Sequence, residues 1–564
     1  MRGTLEDLGD RLASLDRRGY PAYKSIKGEW SAGDWTLHVD HVQGDPFATP
    51  SRLRVRLPTE AHGVPARHRA NHPRRVALAD YLLERFADET EGIGSAGSGG
   101  SGRVRVDAGG AEVLERSGCV VAEGAIELRF RVGLPARGRS ILGRAAAELL
   151  TRALPDAVEG LRWEALDADA VRAQVDLVED HAHLAAALRE RGLVAFVRDG
   201  SVLPRLSGTS SRPMDDAVPF ESPPSLRVTL PTLHHGEVTG MGLPEGVTLI
   251  VGGGFHGKTT LLEAIGRGVY PHVPGDGREW VVTRADAARV RSEDGRSVVG
   301  VDLSGFIRDL PRGRSTVAFD TADASGSTSL AAAILEAIEL GSGALLLDED
   351  TCATNLLVRD ARMQRLVEAE PLVPLIDRVR ELHRAHGVST VLALGASGDY
   401  LEVADTVLRM TEYVPDDVTE RAAEVAREIP SAREPVTDLP PLAVATRRPT
   451  ARSFDARKGK RNRVRARGLR ELTLGEQVID LSAIAQLVDD SQVRAIGALL
   501  ERAGRVADGE LTLRALVEAL VARVDEGGLI AVADLPELAR PRGLELGAAI
   551  NRLRSLTLAR TPGP

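Results

Sequence analysis

A glycine-rich run constrains the fold of this 564-residue chain more than any other feature. Residues 252–260 read GGGFHGKTT, which fits G-x-x-x-x-G-K-[ST], and they follow the apolar segment VTLIV at residues 247–251. The apolar segment predicts a buried strand, and the residues after the lysine have helical periodicity. Because glycine has no Cβ, such a loop can bring several backbone N–H groups close to one anion. The sequence therefore predicts a phosphate-binding loop, and an ordinary glycine-rich turn is the alternative.

The expected phosphate site consists of the loop and the first residues of the helix. These residues are Gly252, Gly253, Gly254, Phe255, His256, Gly257, Lys258, Thr259 and Thr260. Lys258 is expected to reach the terminal phosphates, and the hydroxyl of Thr259 is expected to bind a magnesium ion. His256 occupies a variable position of the pattern, so we expect it to point away from the chemistry, with a catalytic role as the alternative.

A second acidic segment supplies the groups that hydrolysis would need. Residues 344–350 read ALLLDED, which predicts a buried strand that ends in carboxylates. Asp348 is expected to hold the metal ion, and Glu349 is expected to act as general base. Together with Lys258, they are the expected catalytic residues. The alternative is an apolar strand that simply ends in an acidic turn.

Composition limits the class of protein. The length corresponds to about three or four domains, and 43% hydrophobic and 27% charged residues are ordinary for globular chains. A net charge of −9 argues against nucleic-acid binding over the whole surface but permits a local basic patch. Two cysteines, Cys119 and Cys352, exclude a disulfide framework and favour a reducing compartment. There is no apolar signal segment and no run long enough to span a membrane, so we expect a cytoplasmic protein.

Four parts are expected along the chain. Residues 1–203 mix helical and strand-like patterns, such as the alternation of Leu53, Val55 and Leu57 with arginines, and they include a Gly/Ser-rich loop near 92–102 that we expect to be mobile. Residues 204–430 alternate apolar strands with helices, which predicts an α/β sandwich around a largely parallel sheet. Residues 431–480 are expected to form a basic Pro/Arg-rich segment, and the overlapping stretch from 427 to 470 is expected to be loop-like. Residues 481–564 are expected to form a small helical domain.

A polar turn lies upstream of the acidic strand. Residues 324–329 read ASGSTS and open a helix, which is a weak signal for an anion site. Ser325 precedes Asp348 by 348 − 325 = 23 residues, the separation at which ABC-type ATPases place their S-G-G-Q signature before the magnesium aspartate. The turn therefore resembles that signature.

Longer segments carry a resemblance to one family. The run at residues 321–363, together with GVYPHVPGDGREW, HVQGDPFATPSRLRV and ARPRGLELGAAINRLR, is similar to the predicted ATPases of the ABC class. The resemblance implies an ABC-type P-loop NTPase core that binds ATP, with an α+β N-terminal domain and a small, mainly helical C-terminal domain. It also implies a homodimer that encloses two ATP molecules, with Ser325, Gly326 and Ser327 acting across the interface and residues 350–355 as the D-loop.

The chain departs from ordinary ABC ATPases at three places. Gly395 or Ser397 stands where those proteins have the switch histidine. Ser327 and Thr328 replace the glycine and glutamine of the signature. No glutamine lies between Lys258 and Ser325, so Asp320, Asp323 and Glu293 remain open as Q-loop equivalents.

The stretch from 447 to 470 is strongly basic. It contains eleven Arg and Lys residues, and Asp455 is its only acid. We expect its central part to contact the phosphate backbone of RNA or DNA without marked sequence specificity. The expected contact residues are Arg457, Lys458, Lys460, Arg461, Arg463, Arg465 and Arg467. The alternative is a solvated linker or a patch paired with acidic surface.

These observations favour one function over two alternatives. The leading hypothesis is a homodimeric ATPase that hydrolyses ATP with Mg²⁺ and couples this to RNA or DNA binding. GTP is disfavoured, because no lysine stands in an N/T-K-x-D guanine-binding motif. An ATP-binding scaffold with little turnover and a small-molecule kinase are the alternatives.

Overall fold

The computed structural model describes residues 1–94, 97–208, 210–308, 310, 313, 315–367 and 369–559. It divides into two compact units. The first contains Met1–Glu179 and Gly528–Arg540, and the second contains Asp180–Gly527 and Pro541–Pro564. The four parts expected from the sequence remain a prediction.

The first unit is built on one sheet of seven strands, whose order is β1-β2-β3-β4-β7-β5 with β6 also paired to β7. The strands of this sheet are β1 (Arg2–Thr4), β2 (Gly28–Ala32), β3 (Trp35–His41), β4 (Ser51–Pro58), β5 (Val104–Arg105), β6 (Cys119–Val121) and β7 (Ala125–Val132). Strands β8 (Ala136–Arg137) and β9 (Ser140–Ile141) pair with each other in a separate two-stranded sheet. The helices of the first unit are α1 (Leu5–Ser14), α2 (Thr59–His62), α3 (His72–Thr90), α4 (Gly143–Glu148) and α5 (Leu154–Glu159), and α6 (Ala168–Glu190) begins in this unit. In β4, buried Leu53, Val55 and Leu57 alternate with arginines, as the sequence predicts.

Part of the Gly/Ser-rich stretch near 92–102 lies outside the described residues, namely Ser95 and Ala96. The described part makes hydrogen bonds within the first unit. The backbone N–H of Ser98 donates to the Ala136 carbonyl at 2.8 Å, and that of Gly102 donates to the Gly133 carbonyl at 2.7 Å. The mobility of this loop remains a prediction.

The second unit contains the remaining elements. Its strands are β10 (Leu193–Arg198), β11 (Arg227–Pro231), β12 (Glu237–Pro244), β13 (Val247–Val251), β14 (Val281–Thr283), β15 (Ala287–Arg289), β16 (Val298–Val301), β17 (Phe319–Thr321), β18 (Ala344–Asp348), β19 (Ser389–Leu394), β20 (Thr406–Thr411), β21 (Val414–Asp417), β22 (Arg457–Lys458), β23 (Arg461–Asn462), β24 (Val464–Arg467), β25 (Glu471–Leu474) and β26 (Gln477–Asp480). Its helices are α7 (Lys258–Arg267), α8 (Gly326–Glu339), α9 (Thr354–Leu357), α10 (Ala361–Leu366), α11 (Val379–His386), α12 (Thr419–Glu428), α13 (Asp490–Val506), α14 (Leu513–Gly527) and α15 (Gly543–Ile550).

The core of the second unit is a six-stranded sheet with the order β15-β18-β19-β13-β20-β21. The first five strands are parallel and β21 is antiparallel to β20. One face packs on α7 through Leu261 and Ile265, and the other packs on α8 through Leu330 and Ile334. Because both faces are covered, the central strands are continuous apolar runs. The predicted α/β sandwich is confirmed.

The basic stretch is folded where a loop was expected. From Arg457 onward the loop-like expectation is wrong, since β22 pairs with β23 and β24-β25-β26 form an antiparallel sheet. Val464 lies against Gly497 of α13, and Leu472 and Leu474 of the next strand are fully buried. The alternation with arginines also allows a strand with Arg463, Arg465 and Arg467 on one face, and β24 is a strand from Val464 to Arg467.

Within the described ranges, none of the helices is both long and apolar enough to cross a bilayer.

Candidate active site

The phosphate loop and the acidic segment meet at one edge of the six-stranded sheet. Strand β13 leads into the loop, and β19 separates it from β18, which ends at Asp348. The register pairs Val251 with Leu394 and Asp348 with Ala393, so these parallel strands end at the same level. Such an edge is where open α/β sheets bind ligands.

The loop has a backbone that only glycine fits at two positions. Gly252 has φ +146°, and a Cβ there would lie 2.6 Å from the carbonyl oxygen of Met410. Gly257 has φ +95°, and a Cβ there would lie 2.6 Å from Cδ1 of Tyr413. Between them, Phe255 also has a positive φ of +64° and is 99% exposed. The loop thus depends on glycine for both its turns and its close contacts.

Lys258 begins helix α7, whose N-terminus has no side-chain cap. Its first-turn N–H groups therefore remain available to an anion. The Lys258 Nζ donates hydrogen bonds to the carbonyl oxygens of Gly252 and Gly253, both at 2.8 Å, so the ammonium group lies inside the curl of the loop. Thr259 is exposed and Thr260 is half-buried.

His256 joins the loop to the turn between β20 and β21. Its Nδ1 accepts a hydrogen bond from the backbone N–H of Glu412 at 2.9 Å, and its carbonyl accepts one from Tyr413 at 3.1 Å. These contacts hold the His256 side chain against this turn, and the expectation that it points away from the chemistry remains a prediction.

Asp348 is only 4% exposed at the end of β18. Its carboxylate accepts a hydrogen bond from the backbone N–H of Asp350 at 3.3 Å, and Nη2 of Arg289 lies 3.8 Å from Oδ2. Burial lowers the pKa of the Arg289 guanidinium, and the nearby charge of Arg291 adds to this effect. The sequence analysis did not single out Arg289. This residue ends the short strand β15, and no sequence pattern around it signals a contact with Asp348.

The carboxylate of Glu349 is held by the segment that follows β19. It accepts hydrogen bonds from the backbone N–H groups of Gly395 at 2.5 Å and Ala396 at 3.1 Å, and from the hydroxyl of Ser397 at 3.0 Å. In this segment, Gly395 or Ser397 stands in place of the switch histidine of ordinary ABC ATPases. The two acidic residues are therefore arranged differently: Asp348 lies beside Arg289, and Glu349 is held by backbone amides.

The signature-like turn lies beside the segment expected to be the D-loop. Ser325 is the exposed N-cap of α8, and its hydroxyl accepts a hydrogen bond from the backbone N–H of Thr328 at 3.4 Å. The Ser327 hydroxyl donates to Oδ1 of Asn355 at 2.8 Å, while a Cβ on Gly326 would lie 3.2 Å from Oδ1 of Asp294. The structure thus brings this turn together with residues 350–355.

Two of the three Q-loop candidates make other contacts. The Glu293 carboxylate pairs with the guanidinium of Arg552 at 2.8 Å, and Asp320 accepts a hydrogen bond from the backbone N–H of Gly300 at 2.9 Å.

Cys352, in the D-loop segment, is 8% exposed. Burial raises the pKa of its thiol to about 12, which supports an inert cysteine.

Seven basic residues form a surface on the β22–β23 hairpin and β24, which we call the basic surface. All are exposed except Arg463, which is half-buried; the set comprises Arg457, Lys458, Lys460, Arg461, Arg463, Arg465 and Arg467. Arg457 pairs with Asp455 at 2.9 Å and Arg467 pairs with Glu471 at 3.3 Å. Within the described part of the chain, the other five have no acidic partner at ion-pair distance.

Comparisons with known proteins agree with this geometry. A model of the ABC_ATPase P-loop domain matches residues 167–447, and one of the N-terminal domain of ATPases of the ABC class matches residues 5–163. A model of the MRB1590 C-terminal domain matches residues 463–559.

A curated relative is similar over part of the chain. An uncharacterized protein of Methanocaldococcus jannaschii is 32% identical over 253 residues, which is 40% of this chain and 56% of that protein. The match thus spans little more than half of the relative's length. With a parallel sheet, a glycine-dependent phosphate loop and matching models on both sides, the chain belongs to the family of ABC-class ATPases with additional N- and C-terminal domains.

Proposed function

We propose that the protein binds ATP with magnesium and hydrolyses it. The observation that carries this proposal is the common sheet edge, where the loop at residues 252–260 lies one strand away from Asp348 and Glu349. In phosphoryl transfer the protein mainly positions groups and stabilises charge, so a cation, a metal-holding carboxylate and a water-positioning carboxylate are the parts required.

Each group has a role in this proposal. Lys258 and the first-turn amides of α7 bind the phosphates. Thr259 and Asp348 would hold Mg²⁺, whose preference for hydroxyl and carboxylate oxygens fits this pair. The metal would neutralise charge that develops on the phosphates. Glu349 orients the attacking water and accepts its proton.

Two substitutions test this assignment. Glu349→Gln should keep ATP binding and lose turnover, because the amide has nearly the same shape but cannot accept the proton. Lys258→Ala should lose ATP binding. Titration calorimetry with MgATP and phosphate release measure the two effects. Binding that is equally tight after Lys258→Ala would refute the phosphate-loop assignment.

We also assign two ATP molecules to a homodimer, in which Ser325, Gly326 and Ser327 of one protomer complete the site of the other. Support comes from the exposure of Ser325 and from the contact of Ser327 with Asn355 in the D-loop segment. Glu349→Gln with ATP should accumulate the dimer, which light scattering after gel filtration detects. A Ser325→Arg variant should stay monomeric under the same conditions. Identical masses with and without ATP would contradict this model.

The basic surface is assigned to the phosphate backbone of RNA or DNA. Lys458, Lys460, Arg461 and Arg465 are exposed and carry charge without acidic partners in the described structure, which favours binding by counterion release. Changing Arg461, Arg463, Arg465 and Arg467 to alanine should weaken binding and flatten its salt dependence, by up to about 3–4 in the slope of log K against log salt. An unchanged slope in fluorescence anisotropy would remove this surface from the proposal.

An ATP-binding nucleic-acid scaffold with little turnover is the second candidate. It is favoured by the three hydrogen bonds that hold the Glu349 carboxylate, since a carboxylate tied in this way has few lone pairs left for water. Turnover of the wild-type protein with RNA, single-stranded DNA and duplex DNA separates the two. A scaffold hydrolyses no more ATP than its Glu349→Gln variant under any of these conditions.

A further inference from the structure

A groove lies between the segment at residues 451–456, the β22–β23 hairpin and α13, all within the second unit. It contains about 410 Å³ of free space, which is within the usual range for small-molecule sites. Its floor is apolar, because Phe454 and Ala456 line it and are only 3% and 5% exposed. Gly504 of α13 continues this floor, since a Cβ there would lie 3.4 Å from Cβ of Phe454. The groove therefore has the room and the apolar surface that a flat ring needs.

Three arginines line the same groove. Arg452 and Arg505 are exposed, and among the residues that the structure describes neither has an acidic partner at ion-pair distance. Arg457 is paired with Asp455 at 2.9 Å. Because Arg457 belongs to the basic surface, the groove continues that surface onto α13. The two unpaired guanidinium groups favour a ligand that carries phosphate.

Asn462 and Glu501 give the groove hydrogen-bond acceptors. Both residues line it, and Nδ2 of Asn462 donates to Oε1 of Glu501 at 2.6 Å. A carboxylate only accepts, so Asn462 turns its Nδ2 toward Glu501 and leaves its Oδ1 outside this bond. In the described ranges, neither Oδ1 of Asn462 nor Oε2 of Glu501 accepts a hydrogen bond from the protein. This pair fits a ligand edge with two neighbouring N–H groups.

We propose that the groove binds an unpaired guanine of a single-stranded nucleic acid, with the adjoining phosphates on Arg452 and Arg505. The proposal rests on the nucleic-acid part of the proposed function, because the strand is the one that the basic surface binds. Guanine carries N1–H and the N2 amino group next to each other on its Watson–Crick edge. Adenine, cytosine and uracil have a single donor group on that edge, so one acceptor of the Asn462–Glu501 pair stays unpaired. The basic surface thus binds any strand, and the groove selects one base in it.

Substituting Glu501 tests the base contact and leaves the basic surface intact. Glu501→Gln keeps the shape of the side chain, but an amide has one oxygen, which the bond from Asn462 occupies. Glu476→Gln is the matched control, because Glu476 is an exposed acid of the same unit and its loss changes the net charge equally. Arg505→Met removes a cation expected to contact phosphate and not the base. Thermal melting checks that each variant folds as the wild type does.

Labelled oligouridylates of about 12 nucleotides serve as probes in fluorescence anisotropy. They carry guanosine, inosine or adenosine at one central position. The wild type should bind the guanosine probe about 10-fold more tightly than the adenosine probe. Inosine lacks the N2 amino group and should bind more weakly than guanosine. Annealing the guanosine probe to its complement should abolish the preference, because its Watson–Crick edge is then occupied. Thymidine oligonucleotides with the same central bases show whether the groove takes DNA as well as RNA.

The variants should separate the base from the phosphates. The guanosine preference should vanish in Glu501→Gln and persist in Glu476→Gln. Arg505→Met should weaken the binding of every probe alike and lower the slope of log K against log salt by about 1.

The remaining outcomes overturn the proposal in distinguishable ways. Equal affinity of the wild type for guanosine and adenosine probes means that the groove reads no base, while the basic surface still stands. A guanosine preference that survives Glu501→Gln means that other residues read the base. An unchanged salt slope in Arg505→Met removes the phosphate from the groove. A wild-type protein that binds none of the probes refutes the nucleic-acid part of the proposed function and the groove with it.

Discussion

Replacing Arg447 with methionine should strongly destabilise the second unit, although this residue begins the most basic stretch of the chain. Arg447 is 4% exposed. Its Nε and Nη2 donate to Oε2 of Glu339 at 2.8 and 2.6 Å, and its other donors bind the carbonyl of Val299 and Oδ1 of Asn551. Without Arg447, Glu339 would remain buried as an uncompensated charge. Such a loss costs about 3–5 kcal/mol.

The cost should depend on pH in a defined direction. Burial raises the pKa of the Glu339 carboxyl even with Arg447 beside it, and removing Arg447 raises this pKa further. A carboxyl in the unfolded chain has a pKa of about 4.3. Above that pH the folded variant binds more protons than the unfolded chain, so its stability falls as pH rises. The destabilisation should be smaller at pH 5 than at pH 8, and adding Glu339→Gln should recover much of it.

Urea unfolding followed by intrinsic fluorescence measures this effect. On a slope of about 3 kcal/mol per molar urea, the midpoint should fall by about 1 M or more. Arg452→Met is the matched control, because Arg452 is exposed in the same stretch and its loss should cost less than about 0.5 kcal/mol. If both variants unfold at the same urea concentration and Arg447→Met loses only nucleic-acid affinity, the reasoning from burial is refuted.

Three further outcomes are expected. Gly257→Ala should abolish ATP binding in titration calorimetry, because φ is +95° and the new Cβ would meet the Tyr413 ring at 2.6 Å; wild-type affinity would contradict this. Ser397→Ala should raise ATP turnover about fivefold, because loss of a hydrogen bond of about 1 kcal/mol frees the Glu349 carboxylate. A fall in the steady-state rate would contradict this and would mean that Ser397 positions Glu349 for catalysis. Cys352 should resist maleimide at pH 8 until urea unfolds the chain, because burial raises the pKa of its thiol to about 12; rapid labelling of the native protein, read by mass spectrometry, would oppose this.

The phosphate loop and its sheet could be predicted from the sequence because their signals are local. A glycine at a position with φ +146° or +95° leaves a direct trace in the sequence. Parallel strands covered on both faces are apolar throughout, so β13, β18 and β19 stand out as short runs. The end of such a run then placed Asp348 at the sheet edge.

Contacts between distant residues could not be predicted in this way. Glu349 meets Ser397 48 positions away, and Arg447 meets Glu339 at a separation of 108. Arg447 and Arg465 look alike in the sequence, but only packing decides that the first is buried and the second exposed. Tyr413 belongs to no recognisable sequence motif. Its contact with the phosphate loop arises because β20 pairs with β13, which no local pattern in the sequence predicts.

The phosphate loop and the basic surface belong to one compact unit, and a side chain of the C-terminal part connects to the nucleotide site. The amide of Gln486 donates to the carbonyl of Gly266 in α7 and accepts from the backbone N–H of Arg289 in β15, both at 2.9 Å. A shift of α7 against β15 therefore breaks at least one of these bonds or moves Gln486. Helix α13 begins four residues after Gln486. It packs on β24, where Gly497 lies against Val464. Because binding linkage is reciprocal, any factor by which ATP changes the affinity of the basic surface must equal the factor by which its ligand changes the affinity for ATP.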